Sequence, residues 1–83
     1  MDLRAIIEID LHNMNTEEAK YRVAGALKEA GSGVYRIRLV HGYHGGTKIR
    51  SMIREEFHPG LEPKVLRIEG GANEGITELV LRY

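Results

Sequence analysis

Two short stretches of this sequence carry residues able to handle a phosphate. Asp10-Leu11-His12 sets a carboxylate two residues before an imidazole. On an extended strand the two side chains point to the same side. There the carboxylate orients the imidazole and raises its basicity, as general acid–base catalysis or metal binding requires. The plainer alternative is an Asp10 that caps a turn beside a surface His12. The second stretch is the loop His41-Gly42-Tyr43-His44-Gly45-Gly46. Between a strand and a helix, its glycines let backbone N–H groups approach a phosphate, and the helix start adds the positive end of a dipole. His41 and His44 offer donors or acid–base groups, and Lys48 and Arg50 offer charge. The bland reading is a loop whose glycines only solve turn geometry. Tyr43, at the loop tip, either stacks on an unpaired base or packs back on the domain. His12, His41, His44 and Asp10 are also residue types that suit zinc or manganese. Their spacing fixes no metal geometry, so a site made of protein groups alone is favoured, with a divalent ion (Mg or Mn) left open.

Both stretches need elements to place them. Ala5 to Leu11 reads as a strand buried on both faces, of the parallel-sheet type. Asn15 or Thr16 caps a helix, and Asn15 with Glu18 has the capping-box spacing. Ala19, Val23, Ala26, Leu27 and Ala30 form its apolar face, and Gly31-Ser32-Gly33 stops it. Val34 to Val40 is a second strand with Arg36 and Arg38 on one face. Thr47 caps a second helix with Ile49, Met52, Ile53 and Phe57 on its apolar side, ended by Pro59-Gly60 and Pro63. Lys64 to Glu69 and Ile76 to Arg82 are two more strands, antiparallel across a mobile Gly70–Gly75 turn. The order is βαβαββ, with right-handed crossovers. Both polar motifs then follow a strand and precede a helix. That puts them on the carboxyl edge of the sheet, where ligands bind in parallel α/β folds.

Composition narrows the chemistry. Eighty-three residues make one domain (1–83) with a thin core, burying about two-thirds of the unfolded surface. A surface site meeting a large partner suits that size better than a deep pocket. Cysteine is absent, which removes disulfides, thiolate zinc sites and cysteine nucleophiles. Without staples or an apolar leader near Met1, the chain reads as cytoplasmic, and no apolar run has the length of a membrane span. The net charge is zero, yet residues 34–54 carry Arg36, Arg38, Lys48, Arg50 and Arg54 and no acid. A basic middle attracts a phosphate backbone locally. Alternatively, Arg50 and Arg54 simply solvate a helix face.

Taken in order, these motifs resemble a known family. Ile9-Asp10-Leu11-His12 with Thr16-Glu17-Glu18-Ala19 resembles the opening of the small MutS-related (Smr) domain. Val40 to Gly46 followed by Ile49-Arg50 resembles that family's second motif, a glycine loop leading into a helix. The Gly70–Gly75 turn and the closing strand Ile76–Leu81 match its ending. The resemblance implies an α/β two-layer sandwich with a four-stranded mixed sheet and two helices, similar to the C-terminal domain of a bacterial translation initiation factor. It implies nucleic-acid binding, and endonucleolytic cutting of DNA or RNA, with a non-catalytic nucleic-acid- or ribosome-binding module as the alternative. Asp10, His12, His41 and His44 would be the catalytic groups. Gly42, Tyr43, Gly45, Gly46, Thr47, Lys48, Arg50 and Arg54 would hold phosphate or nucleic acid. The chain departs from the family at Asn13, where the first motif has glycine, and at His44, near the place of a second loop glycine.

Overall fold

In the computed structural model, residues 5–43 and 47–82 are described. The elements run β1 (Ala5–Asp10), α1 (Thr16–Glu29), β2 (Val34–Val40), α2 (Thr47–Glu56), β3 (Arg67–Gly70) and β4 (Ile76–Val80). The sheet order is β1-β2-β4-β3. β1 pairs parallel to β2, and β4 pairs antiparallel to both β2 and β3. β3 therefore runs parallel to β1 and β2, and β4 lies between two strands of opposite direction. The carboxyl ends of β1, β2 and β3 share one edge with the start of β4.

Local sequence explains the elements. Asn15 caps α1 with its side-chain oxygen accepting from the Glu18 N–H (2.8 Å), while the Glu18 carboxylate accepts from the Asn15 N–H (3.0 Å). A cap of this kind contributes about 1 kcal/mol. Ala19, Val23, Ala26 and Leu27 then fall on one buried stripe. α2 buries Ile49, Met52 and Ile53, with Phe57 just beyond it. Both stripes share a core with Ile9, Leu11, Ile37, Leu39 and Leu79 from the sheet. The two helices thus cover one sheet face.

The other face corrects the expectation for β1. β1 is an edge strand with one open face, not a strand buried on both sides: Ile9 is buried, while Ile6, Glu8 and Asp10 are exposed. No described element covers that face, and a ladder of ion pairs crosses it. Arg38 pairs with Glu8 (3.6 Å) and Glu78 (2.9 Å); Arg36 pairs with Glu78 and with Glu69 (2.9 Å); Arg67 pairs with Glu69 (2.5 Å). Glu69 and Glu78 stand directly opposite each other on β3 and β4. Like charges so placed repel, and Arg36 bridges them. Burial opposes ionisation of Glu78, but hydrogen bonds from Arg36 and Arg38 outweigh it and hold its carboxyl below the usual range.

β3 begins later than its sequence suggests. Residues Lys64 and Val65 precede it: the Val65 N–H donates to the Glu62 carbonyl (3.0 Å) and the Val65 side chain enters the core. Lys64 instead reaches back, its Nζ donating to the Leu27 carbonyl at the end of α1 (2.7 Å). That carbonyl also accepts from the Ala30 N–H (3.3 Å), and a cation beside it complements the helix dipole.

Candidate nucleic-acid interface

Three loops meet on the carboxyl edge. The Asp10-Leu11-His12 stretch and the glycine loop come together there: a Cβ built on Gly42 would lie 4.0 Å from the Cβ of His12. The third loop was read from sequence as a mobile turn, and it is structural. The Gly75 carbonyl accepts from the N–H groups of His41 (2.9 Å) and Gly42 (3.0 Å). Asn73 shapes that loop, its side-chain oxygen accepting from the Gly75 N–H (2.8 Å). Gly75 packs closely there: a Cβ on it would stand 3.3 Å from the Gly42 backbone, which would have to give by a few tenths of an ångström.

Asp10 and His12 form an exposed dyad. The Asp10 carboxylate oxygen accepts from the His12 backbone N–H (3.0 Å) and from its ring Nδ1. The ring hydrogen bond, then the backbone one, lowers the Asp10 pKa. With Nδ1 donating, Nε2 is the ring nitrogen left to exchange protons. The dyad sits beside an open groove of about 510 Å³ lined by His12, Asn13, Met14, Glu18, Gly42 and Tyr43.

His41 occupies a different environment. Its ring is buried, with only 2 % of the residue exposed. Nδ1 donates to the Gly42 carbonyl (3.1 Å), which leaves Nε2 to accept from the Thr77 hydroxyl (2.8 Å). Burial, seconded by the charges of Arg50 and Arg54, pushes its pKa down. Both ring nitrogens are satisfied, so the structure places His41 as the peg that fastens the glycine loop to β4. Its neutral form is the folded form. The depressed pKa means the unfolded chain binds the proton more readily, so stability is greatest above the ordinary histidine value of about 6.5 and falls as pH drops below it. Thermal denaturation between pH 7.5 and 5 should show that decline, and His41→Asn should flatten it. An unchanged slope in the variant would remove His41 as its source.

Gly42 adopts φ +84°, which favours glycine. Its N–H already binds the Gly75 carbonyl, so it is not open to a phosphate. Asn13 also has positive φ, at 69°. The departure from glycine at this position is therefore conservative in backbone terms, since asparagine is the side chain that best tolerates this region. Asn13→Gly should leave the melting temperature nearly unchanged, whereas Asn13→Val should cost about 1–2 kcal/mol. Equal melting temperatures for the two variants would contradict that account.

Tyr43 is 57 % exposed, so it does not pack back on the domain. It stands between the larger groove and a smaller one of about 80 Å³, lined by His41, Gly42, Tyr43, Thr47, Arg50 and Glu74. Thr47 is the first residue of α2, not the cap before it, and its hydroxyl donates to the Tyr43 carbonyl (3.5 Å). Lys48 lines a separate groove between the helices, with Glu17, Glu55 and Glu56. Arg54 is exposed and, with Arg50, acts on the His41 charge. Arg36 and Arg38, counted in the basic middle of the sequence, are held by acids on the open sheet face. His44, Gly45 and Gly46 lie outside the described residues. Among the described residues, no three His, Asp or Glu groups converge to hold a metal.

The fold is that of the Smr domains, a family of nucleic-acid-binding modules. The chain belongs to the Smr domain family, whose profile matches residues 9–76. It is similar to the crystal structure of the Smr domain of Thermus thermophilus MutS2, with a TM-score of 0.78 and 30 % identity over 93 % of this chain and 99 % of that one. No curated protein matches the sequence. No described helix is long and apolar enough to cross a membrane.

Proposed function

We propose that this chain binds nucleic acid, DNA or RNA, across the carboxyl edge of its sheet and cleaves a phosphodiester there. The observation that carries the reading is the exposed Asp10–His12 dyad beside the Gly42 turn. Asp10 fixes the ring so that Nε2 exchanges protons with the attacking or leaving oxygen. Arg50 and Arg54, neither of them in an ion pair among the described residues, supply positive potential beside the site. Such contacts position a backbone without reading its sequence. Gly45 and Gly46, which precede α2 in the sequence, keep the phosphate-cradling role on their residue type and sequence position alone. His41 acts as a positioning residue, and Lys48 contributes less than Arg50 because three acids line its groove where only Glu74 lines that of Arg50. His44 remains assigned to the site on its sequence position alone.

The deciding experiment follows cleavage and binding of labelled single- and double-stranded oligonucleotides in parallel, with and without Mg²⁺ or Mn²⁺, for the unaltered protein and for His12→Ala. Product formation that disappears with His12 supports the reading, and equal rates remove His12 from the chemistry. Binding without any cleavage would favour a non-catalytic module, the reading that the occupied Gly42 N–H supports. Such binding should weaken steeply with added salt.

A further inference from the structure

The small groove that shares Tyr43, Gly42 and His41 with the larger groove beside His12 carries a charge pattern that phosphate binding does not explain. Arg50 and Glu74 both line it, yet they make no ion pair with each other. A carboxylate beside an anion site repels the anion, so a groove built for phosphate alone gains nothing from Glu74. The groove holds on the order of two to three water volumes, too little for a whole base. A base would meet it edge-on, with its face against the exposed Tyr43 ring.

We propose that this groove reads an unpaired guanine next to the phosphate handled by the dyad. Guanine alone presents two adjacent donors, N1–H and N2–H, to the two oxygens of a carboxylate, with O6 beside them to accept from an arginine. Glu74 takes the two donors and Arg50 the acceptor. Adenine, cytosine and uracil or thymine each lack the paired donors. Because those guanine atoms are engaged in a Watson–Crick pair, the strand must be single at this position. The proposal rests on the nucleic-acid reading above and names the base and strand state it selects.

The test measures affinity for DNA and RNA 12-mers of thymidine or uridine, either uninterrupted (the all-pyrimidine control) or carrying one central guanine, adenine or cytosine. The unaltered protein should bind the guanine oligomer about tenfold more tightly than the others, within the usual reach of a bidentate base contact. Glu74→Gln keeps the shape and removes a negative charge. It should tighten binding of the all-pyrimidine control while bringing the guanine preference close to one. A purely electrostatic Glu74 would shift every oligomer equally and leave the preference intact, which overturns the proposal. Equal binding of all four oligomers by the unaltered protein also overturns it, while leaving the nucleic-acid reading standing. Binding to duplexes but to none of these single strands overturns the proposal alone, and absence of binding to single and double strands sinks both.

Discussion

Replacing His12 with alanine should lower the cleavage rate by about 10²–10⁴-fold, the usual contribution of a positioned acid–base group. Binding should hardly change, because His12 offers no fixed charge to the phosphate backbone. That contrast follows from the geometry. His12 is exposed, its backbone N–H and Nδ1 are both held by Asp10, and its remaining nitrogen is the group able to move a proton. Its loss opens no cavity in the core, so folding should survive. Asp10→Asn should act in the same direction with a smaller effect, since an amide can still accept a hydrogen bond but no longer stabilises the protonated ring. The check is a single-turnover cleavage rate beside an equilibrium binding titration. A loss in affinity as large as the loss in rate would make His12 a binding group and end the catalytic assignment.

The second large effect lies away from the site. Glu78→Ala should cost about 3–5 kcal/mol, as when one partner of a buried ion pair is removed. A small domain has a total stability on the order of 5–15 kcal/mol, so this variant should melt far below the unaltered protein or fail to fold. Glu78 is 7 % exposed and is the central acid between Arg36 and Arg38. Removing it leaves two neighbouring guanidinium groups with no acid between them, Arg36 held only by Glu69 and Arg38 only by the more distant, exposed Glu8. Glu8→Ala, at the exposed end of the same ladder, should cost no more than about 1 kcal/mol. Chemical denaturation of both variants tests the gradient, and equal losses would show that position along the ladder does not matter.

Much of the fold was legible because its signals are local. The Asn15–Glu18 capping box, the helical stripe from Ala19 to Leu27 and the apolar face of α2 need only neighbours in sequence. β1 misled because Ala5-Ile6-Ile7 hides the alternation that Ile7, Ile9 and Leu11 share against Ile6, Glu8 and Asp10. The basic middle misled for a different reason. Arg36 and Arg38 meet Glu69 and Glu78 only through the register of β2, β4 and β3, and no spacing along the chain encodes that register. Lys64 was taken into a strand because its contact with the end of α1 is likewise distant in sequence.

The site divided in the same way. That Asp10, His12 and the glycine loop converge could be argued from strand direction alone. The residue types of the glycine loop drew attention to His41, but the hydroxyl its ring meets belongs to Thr77, which is 36 residues away. Gly75 and Asn13 were undervalued since their importance lies in backbone geometry. An asparagine after a strand-end histidine and a glycine after Asn-Glu were the available signals, both suited to tight turns.

β4 follows every other element in the chain yet occupies an interior place in the sheet. The carbonyl that anchors the glycine loop belongs to Gly75, immediately before it. During synthesis the loop would therefore emerge well before its anchor. A nascent chain could form β1, α1 and β2 and still lack a shaped edge. The edge that carries the Asp10–His12 pair would take its shape in one late step, when β4 enters between β2 and β3.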